Sequence, residues 1–425
     1  MSAGGGLGWV AIARLGLVQA AIGAVVVLTT STFNRVMAVE LALPAILPGL
    51  LVGLHYGVQL TRPHWGLRSD ARGGRTPFVV GGMAMLAAGA LAAALAVALL
   101  ETRLLPGLAL SVLAYAAIGL GVGAAGTSLL ALLATATEPR RRAAAASVTW
   151  LMMVAGIALT AVLAGGRLDP YSHGRLVAVT ATVAGLALLL AALAVRGVER
   201  RLGPAPEPEP LRFREGLAEV WAEPDARRFT LFVFVAMTAY FMQELILEPY
   251  AGRVFGLTPG ETTQLSGAQN GGVFLGMVAV AVAASGLGIG SLRAWVVGGC
   301  LGSAAALVLV AAAAHAPGVP LVPAVVALGV FNGAFAVAAI GSMMALAGRG
   351  RARREGARMG LWGAAQAIAA GAGGLLGTAL VDAGRLVAPD PAAFGAVFLF
   401  EAALFIAAAL LAVRATARPA AIPGE

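Results

Sequence analysis

Apolar runs of about 18 to 25 residues, nearly free of charge, follow one another along the whole chain, separated by short clusters of arginine, glycine and proline. A helix rising about 1.5 Å per residue needs that length to cross the hydrocarbon layer of a bilayer. The runs are continuously apolar and do not alternate in period two, which predicts helices and argues against a strand barrel. They fall near residues 14–34, 43–60, 77–99, 106–134, 144–165, 176–195, 229–250, 263–285, 292–313, 321–346, 358–380 and 392–413. The pattern therefore predicts an all-α polytopic membrane protein with twelve transmembrane helices. The first run reads as a span and not as a cleaved signal segment.

Composition agrees with the pattern. Hydrophobic residues make up 60% of the chain and charged residues 12%, against about 45–50% and about 25% in soluble domains. Mean hydropathy is +0.89. Every Lys/Arg position is arginine, and most lie in the termini and one alternate set of loops: Arg62 to Arg75, Arg140 to Arg142, Arg196 to Arg228, and Arg349 to Arg358. Arg35, Arg103, Arg167, Arg175, Arg253 and Arg385 fall in the other set. By the positive-inside rule both termini are expected in the cytoplasm. The net charge of +9 then reflects this asymmetry and an attraction to anionic membrane lipids, with no nucleic-acid partner implied. Cys300 is the sole cysteine, which excludes a disulfide framework or thiolate metal site within one chain. A nucleophile beside a base, a phosphate loop and a metal-ligand cluster are all lacking in the sequence, so an enzyme is not expected.

The polar stretch RGVERRLGPAPEPEPLRFREGLAEVWAEPDARRF divides six runs from six. It suggests a first bundle over 1–195, a cytoplasmic linker over 196–228 and a second bundle over 229–425, the halves being pseudo-repeats. Leu211, Phe213, Leu217, Val220 and Trp221 recur at near-helical spacing, which fits a short amphipathic surface helix or a solvated loop. Six plus six helices with an internal linker resembles the major facilitator superfamily, whose binding sites lie between two bundles. The loop GLRSDARGGRTP resembles that superfamily's loop motif at Gly66, Asp70, Gly73 and Arg75, while Ala71 and Gly74 depart from it. An acid there would cap helix amides and pair with arginines at an inner gate. The equivalent loop SGLGIGSLR keeps no acid, which weakens the reading as a rocking transporter.

The stretches QAAIGAVVVLTTSTFNRVMAVELALPAILPGLLVGLHYGVQLTRP, SDARGGRTPFVVGGMA, AEPDARRFTLFVF and QELILEPYAGRVFGLTPGETTQLSGAQNGG resemble the PucC/LhaA, or bacteriochlorophyll delivery, family of phototrophic bacteria. The resemblance runs from about residue 11 to 410. It implies a membrane assembly factor for light-harvesting complexes in the bacterial inner (intracytoplasmic) membrane, one that hands bacteriochlorophyll to antenna polypeptides. Antenna subunits would be its partners, with bacteriochlorophyll synthase as a further candidate, and carotenoid would be a second candidate pigment. The alternative is a proton-coupled secondary transporter of a small or amphipathic solute.

Candidate residues are the polar groups inside apolar runs, each of which needs a partner. His55 is the one histidine within a span; as a ligand to the pigment's magnesium it competes with a structural hydrogen bond to a neighbouring helix. Gln59 stands one turn further on and could fix its tautomer. Pro44 precedes His55 as Pro259 precedes Asn270, which suggests equivalent positions on facing bundles, with Gln269 adjacent. Asn34, Arg35 and Glu401 complete the set of candidate pigment or partner contacts. Glu244 and Glu248 lie one turn apart near the expected outer end of the seventh helix, where Arg35 or Arg253 could partner them and Pro249 is expected to end the helix. A simple edge-marking role is the alternative.

Overall fold

The computed structural model describes residues 7–71, 74–138, 141–199, 221–316, 318–347 and 355–415. Among them the chain is all-helical, without strands. Helix α1 spans Trp9–Glu40. Helix α2 spans Ile46–Val58 and continues through a 3₁₀ turn, Gln59–Thr61, into a short helix, Arg62–Ala71. Then follow α3 (Thr76–Thr102), α4 (Leu104–Ala136), α5 (Arg142–Leu168) and α6 (His173–Val195). The second half holds α7 (Pro224–Phe255), α8 (Pro259–Val280), α9 (Leu292–Ala313), α10 (Leu321–Ala347), α11 (Glu355–Arg385) and α12 (Asp390–Ala415).

Eleven of these helices are long and apolar enough to cross a membrane, whereas the apolar part of α2 covers only Ile46–Thr61. The expected start of that second span at residue 43 moves inward, because α1 continues to Glu40 before the chain turns. Two π-helical stretches, Leu28–Thr32 and Val36–Glu40, carry α1 through its polar run TTSTFNR. The Tyr115 hydroxyl on α4 donates to the Thr29 carbonyl within the first of them at 2.7 Å, which helps satisfy backbone that π geometry displaces. The amphipathic segment expected from residue 211 lies outside the described residues except for Trp221.

Packing shows the repeat directly. Within the first bundle α1 packs on α5 and α6, α3 on α4 and α6, and α2 on α4. Adding six to every label gives the principal contacts of the second bundle: α7 on α11 and α12, α9 on α10 and α12, and α8 on α10. The contacts between bundles, α2 with α11 and α5 with α8, exchange with each other under the same operation. Each half has its own apolar core, the first centred on residues such as Leu86, Tyr115 and Leu129, the second on Phe232, Phe335 and Phe405.

Small residues let the helices approach. Gly272 and Gly276 on α8 face Gly329 and Gly333 on α10, two GxxxG pairs across one crossing. A methyl at Gly272 would stand 2.5 Å from the Val326 carbonyl oxygen. The helix ends joined to the linker define a linker side of the molecule, and the opposite ends its far side.

Candidate functional site

The polar residues of α1 meet α7 and α8 along a seam between the bundles. Thr30 donates to Glu244 at 3.3 Å, Ser31 shares a 3.3 Å hydrogen bond with Ser266, and Thr32 shares one of 3.1 Å with Thr263. Asn34 Nδ2 donates to the Leu245 carbonyl at 2.6 Å. That carbonyl lies four residues before Pro249, which has no N–H to offer it. The expectation that Pro249 ends the helix is therefore corrected. Proline frees the Leu245 carbonyl, the side chain of Asn34 occupies it from the other bundle, and α7 runs on to Phe255 before Gly256 stops it in the left-handed conformation at φ 68°.

Glu248 thus stands within α7 and not at its end. It is 1% exposed, and neither carboxylate oxygen has a hydrogen bond of normal geometry. The hydroxyls of Ser31, Thr262 and Ser266 lie around it. Arg35, expected as a partner for these acids, instead pairs with Glu40 and donates to the Leu257 carbonyl at 2.6 Å. Arg253 donates to the Ala38 carbonyl and lies 3.9 Å from Asp390.

A second polar ladder rises on α2. Arg62 donates to Gln59 Oε1, and Gln59 Nε2 lies 2.9 Å from His55 Nε2. A guanidinium can only donate, so it holds the amide oxygen of Gln59 toward itself and turns the NH₂ group toward the imidazole. His55 Nε2 is then the acceptor and Nδ1 carries the proton. His55 is 1% exposed and Nδ1 has no hydrogen-bond partner. Nine residues from Ile46 place His55 about 14 Å along α2, nearer mid-membrane than a start at residue 43 implied. Tyr56 sits beside it, with its ring 5.5 Å from Phe241 of α7 across the bundle boundary. Close approach of α4 is possible because Gly119 faces the His55 backbone; a methyl there would stand 2.5 Å from its carbonyl oxygen.

His55 and Asn270 stand on α2 and α8, which correspond under the repeat as expected, and each helix has its own neighbours. The helix of His55 packs on α4 and α11, whereas Asn270 is on α8, which packs on α5 and α10, and its amide donates to the Ser266 carbonyl at 3.0 Å. Gln269 is buried on the same helix, with its carbonyl oxygen against Gly329. Glu401 lies on α12 inside the second bundle, 0% exposed and with both carboxylate oxygens unpartnered.

Of the loop motif, Gly66 and Asp70 fall on the short helix after α2, while Gly73 lies outside the described residues. Arg75 reaches α4, donating to the Ala131 carbonyl at 2.8 Å and to Thr135. A residue the sequence did not single out caps α3: Glu199 accepts from the backbone N–H groups of Arg75 (2.6 Å) and Thr76 (2.9 Å) and from the Thr76 hydroxyl (2.7 Å). Burial alone would raise its carboxyl, but these hydrogen bonds and the Arg75 charge outweigh burial and hold it below the ordinary glutamate value. A depressed folded value means that the stabilisation is present above the unfolded glutamate value and is lost as pH falls through the folded one. Glu199→Ala should cost about 0.5–2 kcal/mol, the range for lost helix caps. Thermal unfolding across a neutral-to-acid series should show the wild type losing this margin on acidification while the variant, already without it, changes less.

On the far side two more acids were missed. Asp382, near the end of α11, accepts from the backbone N–H groups of Ala45 (3.0 Å) and Ile46 (2.8 Å) at the start of α2. Asp169, just beyond α5, accepts from the Thr258 hydroxyl (2.5 Å) and the Gly260 N–H (3.2 Å) at the start of α8. Each joins one bundle to the other.

Residues 32–419 match the PUCC protein family. The chain belongs to that family. Among relatives of this PUCC family member, the "Bacteriochlorophyll synthase 44.5 kDa chain" of Rhodobacter capsulatus is 64% identical, covering 99% of this chain and 100% of its own. "Protein PucC" of Rhodovulum sulfidophilum is 27% identical over 88% of this chain and 85% of its own. Solved structures share the fold at low identity. A bacterial homologue of the human lysosomal transporter Spinster, inward-facing and unoccupied, aligns over 96% of this chain and 95% of its own with a TM-score of 0.66 and 14% identity. A POT family transporter in complex with a thioalcohol-conjugated peptide aligns over 94% of each chain with a TM-score of 0.69 and 13% identity. This PUCC family chain is thus a multi-pass membrane protein with a major facilitator fold.

Proposed function

We propose that this chain is an assembly factor for photosynthetic light-harvesting complexes, binding bacteriochlorophyll and delivering it to antenna polypeptides. The observation that carries the reading is the PUCC family match across the chain, joined to a 64% identical relative whose name contains bacteriochlorophyll. We take the chain to act as a pigment-handling companion of the enzymes that make bacteriochlorophyll, itself performing no reaction. Antenna subunits and bacteriochlorophyll synthase are the partners this role requires, in the bacterial inner membrane with both termini cytoplasmic.

The tautomer of His55 bears on how a pigment would be held. An axial ligand to magnesium must offer a lone pair; Nε2 is turned to Gln59 and Nδ1 carries the proton, so His55 does not fit that role in this arrangement. An unpaired buried N–H suits a carbonyl oxygen, and bacteriochlorophyll carries carbonyls at its ring edge. Tyr56 and Phe241, from opposite bundles, supply the apolar ring faces beside it.

An absorption spectrum of the detergent-purified chain from phototrophically grown cells tests the proposal: a near-infrared bacteriochlorophyll band is expected. His55→Leu should remove most of that band while leaving the protein at its wild-type level in the membrane. A pigment-free preparation together with normal antenna accumulation in a deletion strain would overturn the reading. The transporter fold of the solved relatives keeps the second reading, a proton-coupled transporter, in play; a membrane proton flux abolished by Glu248→Gln would favour it.

A further inference from the structure

We propose that Glu248 is the anionic centre of a binding site for a sodium-sized monovalent cation, built between the two bundles. The donors are all oxygen: the Glu248 carboxylate from α7, Thr262 and Ser266 from α8, and Ser31 from α1. All four residues are buried. The hydroxyl protons are largely committed elsewhere. Thr262 Oγ1 donates to the Pro259 carbonyl at 3.2 Å, and Ser31 and Ser266 share one hydrogen bond at 3.3 Å. At most one hydroxyl proton is left for the carboxylate, and neither Glu248 oxygen receives a hydrogen bond of normal geometry. Three hydroxyl oxygens, with at most one free proton among them, therefore surround a buried carboxylate.

The facing positive charge offsets it only in part. Arg35 is the facing cation, and it is paired with Glu40 and the Leu257 carbonyl. Glu244, one turn away, adds a further carboxylate and is contacted by Thr30. A buried ion without a counter-charge is among the most expensive groups a membrane interior can hold. A proton would remove the charge, but its single O–H could serve only one of the surrounding hydroxyl oxygens. A hard cation at about 2.3–2.6 Å from several oxygens satisfies both demands. One carboxylate among neutral hydroxyls matches a monovalent ion, since divalent calcium and magnesium draw on more carboxylates or retained waters. Because Ser31 belongs to the first bundle and the other donors to the second, the ion would fasten the halves together.

Thermal unfolding of the full chain in detergent, in sodium chloride against choline chloride at equal ionic strength and fixed pH, tests this without any pigment. A saturable upward shift of about 2–4 °C in sodium alone is expected. The shift should vanish in Glu248→Gln and shrink in Ser266→Ala. Should Glu248→Gln fail to fold, binding of radiolabelled sodium to the wild type and to Thr262→Ala decides: near one ion per chain, weakened by the substitution, is expected. Equal shifts in both salts, no retained sodium, or a stability that responds to pH and not to sodium would overturn the proposal.

Discussion

Asn34→Leu is expected to destabilise the protein strongly, and Pro249→Ala is expected to restore much of the loss. The amide of Asn34 serves the Leu245 carbonyl at 2.6 Å, a group that Pro249 leaves without its helical partner. Leucine would strand that carbonyl in a buried interface, at about 1–3 kcal/mol for an unsatisfied group. Alanine at 249 returns an N–H to the helix, and the carbonyl no longer needs help from α1. Unfolding of both single variants and the double variant measures the coupling, expected at about 0.5–3 kcal/mol in the favourable sense. Strict additivity of the two substitutions would refute the pairing.

Leucine at Gly333 should have the other large effect, loss of most of the folded protein from the membrane. A side chain there meets the backbone of α8, with its Cβ at 2.8 Å from the Val273 carbonyl carbon and 3.0 Å from the Met277 nitrogen. Backbone cannot rotate aside as a side chain can, so the helices must part along the whole crossing. Overpacking a close-packed site costs about 1–3 kcal/mol, and here the separation would also open the pair formed by Gly272 and Gly329. Gly298→Leu is the control, since nothing lies within 4 Å of a methyl at that position. Similar membrane levels for the two variants would show that the crossing tolerates separation.

The architecture was largely legible because long apolar runs leave a bilayer-sized signature that tertiary packing does not overwrite. α9, read as 292–313, has those limits in the structure. α1 and α7 ran longer than their apolar cores because polar residues continue helices wherever the opposite bundle, and not lipid or water, is the neighbour. Pro249 misled for the same reason: a proline's effect depends on who supplies its missing hydrogen bond, and Asn34 is more than two hundred positions away. Asp169, Asp382 and Glu199 carried no local pattern, each being a single acid at a helix end. Their roles exist only through amides contributed by distant segments. His55 and Glu248 were picked out by the rarity of such groups in apolar runs, and Gln59 was legible as the partner of His55 because it lies one turn away, whereas the hydroxyls around Glu248 come from other helices.

Asp169 and Asp382 stand at the ends of α5 and α11 and grip the beginnings of α8 and α2, places that exchange when six is added to or subtracted from each helix number. The two grips therefore flank the pseudo-symmetry axis as a matched pair. A rigid swing that parts the bundles on the far side must release both in the same movement. The barrier to that swing then contains the two contributions together, and the opening rate carries the product of their Boltzmann factors. For a swing of that kind both acids would hold the closed arrangement at once, and a change at either one would alter how long it lasts.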